Sequence, residues 1–298
     1  MRSRGIFFLS IILVFPFLIS SCKSDRGVKE DVDFTSDMPG ILDSIPTETK
    51  EIFYQMSLPV EMARMFEQVG ANYFPEILNS TDQLSRYDTT LKIALNLGVF
   101  GVDLSYIKIF DRQLETVNYF TAIQSLSDDI GIPRNLYSDV LLNLEKYVSN
   151  KDSLARVSAI IYHLTDQYLK EKGEKSSAAM IMMGGWIEGM YIATQIYERD
   201  QGNIKLLEKI AEQKYSLNSL ISLMNNYRGD KEMTEYLLML KNLRRSFDKF
   251  NIYYKMDDVS VDTVQKVISA DKYYIDVKPE TILEISSKIA SLRGKIVR

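Results

Sequence analysis

Cysteine, histidine and tryptophan each occur once in the 298-residue chain, as Cys22, His163 and Trp186. A single cysteine excludes an internal disulfide. A single histidine excludes a zinc site built on several histidines or cysteines, and any His-dependent triad would have to use His163 itself. Glycine-rich phosphate loops, the dinucleotide-binding glycine fingerprint and the Gly-x-Ser-x-Gly elbow are also missing. The residues therefore call for no metal and no cofactor. Basic residues are not in excess either: 36 Lys and Arg stand against 40 Asp and Glu, a net charge of −4. Nucleic acid is thus not an expected partner, because neutralising phosphates requires a basic face. The one basic cluster, Lys241 with Arg244 and Arg245, falls on a helical pattern and reads as a solvated face.

What is present begins at the amino terminus. Arg2 and Arg4 precede an apolar and small-residue run from Ile6 to Ile19, and Ile19-Ser20-Ser21-Cys22 closes it. That order is a secretory signal. The run is shorter than the ~20 residues of a spanning helix and is interrupted by Pro16, so it reads as a segment that is removed. Its last four residues resemble the lipobox of bacterial lipoproteins. The resemblance implies acylation of Cys22 by a diacylglyceryl thioether and an acylated amino group, hence membrane attachment through lipid. Several acyl chains anchor stably where one chain is marginal.

Residues 1–22 are accordingly assigned to the signal with its acylation cysteine, 23–47 to a flexible tether rich in Asp and punctuated by Pro39, Gly40 and Pro46, and 48–298 to a helical domain. Without the two arginines of the signal, 34 basic and 40 acidic residues leave the mature chain at −6. Lys23 stands where an Asp would resemble an inner-membrane retention signal, which favours the outer membrane. Lys23-Ser24-Asp25 resembles in part the surface-export signal of Bacteroidota lipoproteins, and the membrane face stays open.

After residue 50, apolar residues recur at helical spacing and period-two runs are scarce. The expected fold class is all-α, with antiparallel helical hairpins packed as a bundle or as an array loosely similar to tetratricopeptide proteins. The spacing predicts helices over 47–57, 59–70, 81–110, 113–130, 134–149, 152–172, 176–199, 203–227, 230–254, 260–270 and 279–293. Gly131, Gly173, Gly202 and Gly229 supply stops, and Gly98 with Gly101 are candidates to kink or divide the long helix. Tyr273 to Val277 is an alternative strand.

Two glycine-rich stretches resemble each other. At a constant offset, Gly98-Val-Phe-Gly-Val-Asp103-Leu-Ser-Tyr106 places Asp103 on Glu188 and Tyr106 on Tyr191 of Gly184-Gly-Trp-Ile-Glu188-Gly-Met-Tyr191. This suggests a duplicated hairpin. A lipobox followed by an all-helical chain carrying this Gly-Gly-Trp-Ile-Glu-Gly-Met-Tyr helix resembles uncharacterised lipoproteins of Bacteroidota. The likeness implies envelope location and a helical fold, and implies no activity.

Each helix-interior glycine costs up to ~1 kcal/mol relative to alanine, so something must offset it. Close helix approach is the favoured reading, and a ligand lying on bare backbone is the alternative. Asp103 and Glu188 are the most suggestive acids, because an unpaired carboxylate in an apolar helix is expensive to bury. If they converge, they could divide acid and base roles or bind a cation; otherwise each is partly exposed or partnered by a Tyr, Arg or Lys. Tyr106, Trp186 and Tyr191 are ligand-binding candidates, with core packing the plainer reading of Trp186. His163 and Asp166 are spaced for a contact, although a partly buried structural histidine is the simpler assignment.

The leading expectation is a non-enzymatic binding or scaffolding module of the cell envelope, with an envelope protein as partner. The alternatives are a carboxylate-dependent hydrolase or lyase using Asp103 and Glu188, and a protein that captures a small ligand.

Overall fold

The computed structural model describes residues 38–56, 59–134, 151–200, 203–229, 231–253, 255, 259–263, 267–270, 274–276 and 278–298. The signal with Cys22, the first part of the expected tether and the helix expected over 134–149, apart from Arg134, lie outside the described residues. The described residues all belong to one compact unit, Val32–Arg298.

The fold is all-α. Among the described residues its helices are α1 (Met38–Ser44), α2 (Thr47–Gln55), α3 (Pro59–Gln68), α4 (Thr90–Ile109), α5 (Gln113–Asp129), α6 (Lys151–Glu171), α7 (Ser177–Arg199), α8 (Ile204–Asn225), α9 (Lys231–Phe247) and α10 (Pro279–Ile296). Two 3-10 turns, Pro75–Ile77 and Thr81–Arg86, punctuate the segment between α3 and α4.

Helix α4 is apolar nearly all round, the signature of a core helix. By length and composition it could cross a membrane, but 78% of its apolar window is buried inside the fold. Its main neighbour is α7, which is likewise buried along most of its length. Around this pair, α5 and α3 cover α4, while α10, α8 and α6 cover α7; α9 bridges α8 and α10, and α2 packs on α6 and α8.

Glycine explains how the central helices come so close. A Cβ on Gly98 would stand 1.9 Å from the Ile181 carbonyl oxygen, and one on Gly184 would stand 1.9 Å from that of Leu95. Only a hydrogen fits at either place, so backbone meets backbone, as the packing reading expected. On α7, Gly189 is filled instead by the Met62 thioether of α3, whose sulfur lies 2.5 Å from where its Cβ would be. Gly131 ends α5 as expected. It takes φ 73°, its N–H donates to the Asp128 carbonyl at 3.0 Å, and the Ile132 N–H donates to that of Ser127 at 2.8 Å.

Four expectations are corrected. The helix expected over 81–110 is divided, but at Tyr87 to Thr89, where the Thr89 hydroxyl accepts from the Lys92 N–H and caps α4; the helix then runs unbroken through Gly98 and Gly101. The helix expected over 230–254 stops at Phe247, and Asn251–Tyr253 forms strand β1. Where a helix was expected over 260–270, Val259–Asp262 (β2) pairs antiparallel with Val267–Ala270 (β3), and β1 pairs with Tyr274–Asp276 (β4), within the alternative strand Tyr273 to Val277. Val259 and Val261 are β-branched and alternate with polar residues, a period-two pattern that outweighs the weak helical one. Finally, α1 lies within the segment assigned to the tether, and Ile45 behind it is buried. Pro39 sits in the first turn of α1, where proline forfeits no helical hydrogen bond.

Candidate functional site

Asp103 on α4 and Glu188 on α7 project into the same buried space, and both are 0% exposed. Their carboxyl groups are within hydrogen-bonding reach of each other. Two carboxylates cannot bond to each other unless one carries a proton. Burial, and then the neighbouring Glu188, push the Asp103 carboxyl well above the usual carboxylate range, against the smaller opposing pulls of Arg293 and the Asn79 N–H. Burial and Glu188 thus both favour the protonated form of Asp103. Its Oδ1 is buried and has no hydrogen-bond partner among the described residues.

Glu188 in turn is gripped by Arg293 of α10. Nε of the guanidinium donates to Oε2 at 2.8 Å and Nη2 donates to Oε1 at 2.9 Å, the fork geometry that suits a carboxylate. Nη2 also donates to the Ile77 carbonyl at 3.1 Å, and the guanidinium lies 4.3 Å from the Tyr191 ring centroid. Burial draws the Arg293 pKa down, but Glu188 and then Asp103 more than offset it, so it stands above its ordinary value and the charge is permanent.

Asn79, in the segment between the two 3-10 turns, organises the other side. Its backbone N–H donates to Asp103 Oδ2 at 3.1 Å, its carboxamide donates to the Tyr87 hydroxyl at 2.9 Å and to Asn96 Oδ1 at 3.3 Å, and its carbonyl accepts from Tyr119 at 2.8 Å. Asn96 closes the network by donating to the Ile296 carbonyl at 2.9 Å. Burial raises both phenols, Tyr87 and Tyr119, so they remain neutral. The cluster thus ties α4, α5, α7, α10 and the segment between α3 and α4 together.

Convergence of the two acids was one of two sequence readings and partnering by a Tyr, Arg or Lys the other; the structure brings the acids together and gives Glu188 an arginine. Arg293 carried a legible signal. It lies four residues after Ile289 and three before Ile296, on the buried stripe of α10. A cation on an apolar stripe needs a buried anion. Asn79, Tyr87, Asn96 and Tyr119 offered no comparable signal.

The remaining candidates separate. Tyr106 is fully buried and touches neither acid: its hydroxyl donates to the Asn72 carbonyl at 3.0 Å and accepts from the Phe74 N–H at 3.1 Å. Burial pushes it up to about 12. Tyr191 joins the cluster through Arg293 alone. Trp186 is buried against Phe247, with ring centroids 6.5 Å apart, and its Nε1 has no acceptor among the described residues. Asp166 is engaged by Lys170 at 2.6 Å and by Tyr227 at 2.9 Å rather than by a hydrogen bond from His163. Among the described residues no group of three acids, histidines or cysteines could hold a metal ion.

Two open surface recesses lie away from the acids. One of about 500 Å³ is lined by Lys50, Tyr54, Gln55 and Arg156 among others, and one of about 420 Å³ by Met239, Gly294 and Arg298 among others.

No family model, curated protein or solved structure matches this chain.

Proposed function

We propose that the chain is a lipid-anchored protein of the cell envelope, held through Cys22, whose helical domain serves as a non-enzymatic binding or scaffolding module. The supporting observation is the engagement of the most suggestive acids: Asp103 and Glu188 are fully buried and act on each other, and both oxygens of Glu188 are held by Arg293. A substrate would have to displace that bonding and enter a closed interior, so the hydrolase or lyase alternative is the weaker one. The facing positions of the two acids are in keeping with a duplicated hairpin. The lipobox and Lys23 support attachment to the outer membrane.

The small-ligand alternative draws support from one feature, the recess beside Lys50 and Arg156. Its volume lies within the range of ligand pockets, and its lining carries two cations, Lys50 and Arg156, against one carboxylate, Glu51.

Metabolic labelling with an alkyne-tagged palmitate tests the anchor. The wild-type chain is expected to take up label and to sediment with outer membranes, and Cys22→Ala is expected to do neither. A wild-type chain that stays unlabelled overturns the anchor. In-cell crosslinking from the labelled protein tests the module: a reproducible crosslinked envelope species supports it, and its absence at every surface position overturns it.

A further inference from the structure

Three ionisable side chains from three helices meet in the interior: Asp103 from α4, Glu188 from α7 and Arg293 from α10. The other titratable groups that face them are the neutral phenols of Tyr87, from the segment before α4, and Tyr119, from α5, together with Tyr191 of α7 beneath the guanidinium. With both acids ionised the cluster would carry a buried net negative charge, with two anionic oxygens facing each other. One proton between them removes that charge, supplies Asp103 Oδ1 with its missing partner and leaves the single carboxylate of Glu188 matched to Arg293.

That proton is coupled to the docking of two peripheral elements. α10 is held here by Arg293, and by the bond from Asn96 to the Ile296 carbonyl; the segment from Ile77 to Tyr87 is held by its bonds to Arg293, Asp103 and Asn96. We propose that Asp103, Glu188 and Arg293 form a one-proton latch that clamps α10 and the Ile77–Tyr87 segment onto the α4–α7 pair, and that loosens them as rising pH withdraws the shared proton.

The direction follows from linkage. The closed state holds one more proton than an opened state in which water reaches Asp103 and its carboxyl returns to the ordinary range. Each pH unit above that ordinary range therefore favours opening by up to about tenfold, until the closed state itself loses the proton and the dependence levels off. An outer-membrane protein would meet the acidity of its surroundings directly, but the latch follows from the cluster and does not depend on location.

Hydrogen exchange followed by mass spectrometry on the full chain in detergent tests the latch, between about pH 5 and about pH 9, with rates corrected for intrinsic chemistry. In the wild type, protection of α10 and of the Ile77–Tyr87 segment is expected to fall by up to about tenfold per pH unit and then level off, while α2 and α6 show no such fall. Asp103→Asn places a permanent N–H donor toward Glu188 and is expected to abolish the slope. Unchanged α10 protection in the wild type, or the same slope in Asp103→Asn, overturns the latch. If that variant does not fold, infrared spectroscopy of the wild type decides. A protonated carboxylic acid band shielded from exchange is expected at neutral pH, vanishing where the α10 protection levels off. Absence of the band, or its loss without any change in α10, overturns the proposal.

Discussion

Arg293 holds both carboxylate oxygens of Glu188, at 2.8 and 2.9 Å, across 105 positions of sequence. The carboxylate is fully buried and the guanidinium nearly so, with 13% of its side chain exposed. A pair of this kind contributes little net stability when compared with apolar residues of the same shape, yet loss of one member strands the other charge.

Arg293→Ala is accordingly expected to destabilise the domain by about 3–5 kcal/mol, leaving Glu188 unpaired. The paired replacement Arg293→Met with Glu188→Met is expected to cost clearly less than the sum of the two single changes. Urea unfolding of the four proteins, read as a double-mutant cycle, checks the coupling; additive costs would show that the residues do not act together.

Glycine substitutions along α4 should split sharply although they lie three residues apart. Gly98→Ala drives a methyl group into the Ile181 backbone carbonyl, which cannot rotate away, and is expected to cost about 3 kcal/mol or more. Gly101→Ala meets nothing within 4 Å and is expected to stabilise by up to about 1 kcal/mol through helix propensity. Denaturation midpoints of the two variants test this, and equal effects would show that the helices do not cross at Gly98.

The pH dependence of unfolding should have two limbs. Asp103 binds its proton more tightly when folded than when unfolded, so it stabilises below the ordinary carboxylate range, and this stabilisation fades as pH rises toward its raised value. Glu284 behaves oppositely. Lys249, then Lys288 and the Ser246 hydroxyl hold it at about 2, so its contribution is present above about 4.5 and is lost as pH falls toward 2. Thermal melts across pH are expected to show Asp103→Asn removing the alkaline decline and Glu284→Gln reducing the acid one, the latter only slightly because Glu284 is partly solvated.

Tyr106→Phe removes the hydroxyl that bonds the Asn72 carbonyl and the Phe74 N–H, and leaves both without that partner. A loss of about 1–3 kcal/mol is expected, with the segment that follows α3 the first to gain exchange. Chemical denaturation and local hydrogen exchange measure it. An unchanged midpoint would show that the aromatic packing against Phe66, Tyr73 and Phe110, rather than the bonds, holds this ring.

The sequence by itself determined the all-α class, because apolar spacing near 3.6 residues is repeated through almost every segment, and it determined the helix stop at Gly131, because a left-handed cap is a local requirement that glycine meets. It also singled out Asp103 and Glu188, since a carboxylate within an apolar glycine-rich stretch stands out without any knowledge of its surroundings. Tertiary structure alone decided that the two acids touch, that Arg293 rather than Tyr106 or Tyr191 completes Glu188, and that Asn79 completes Asp103. It also decided that β1 pairs with β4 and β2 with β3 where helix propensity was ambiguous. The reason is the range of the forces. Periodicity and capping are settled within one or two helical turns, whereas the partner of a buried charge is chosen by which distant surfaces pack together once the glycines let α4 and α7 cross at backbone contact.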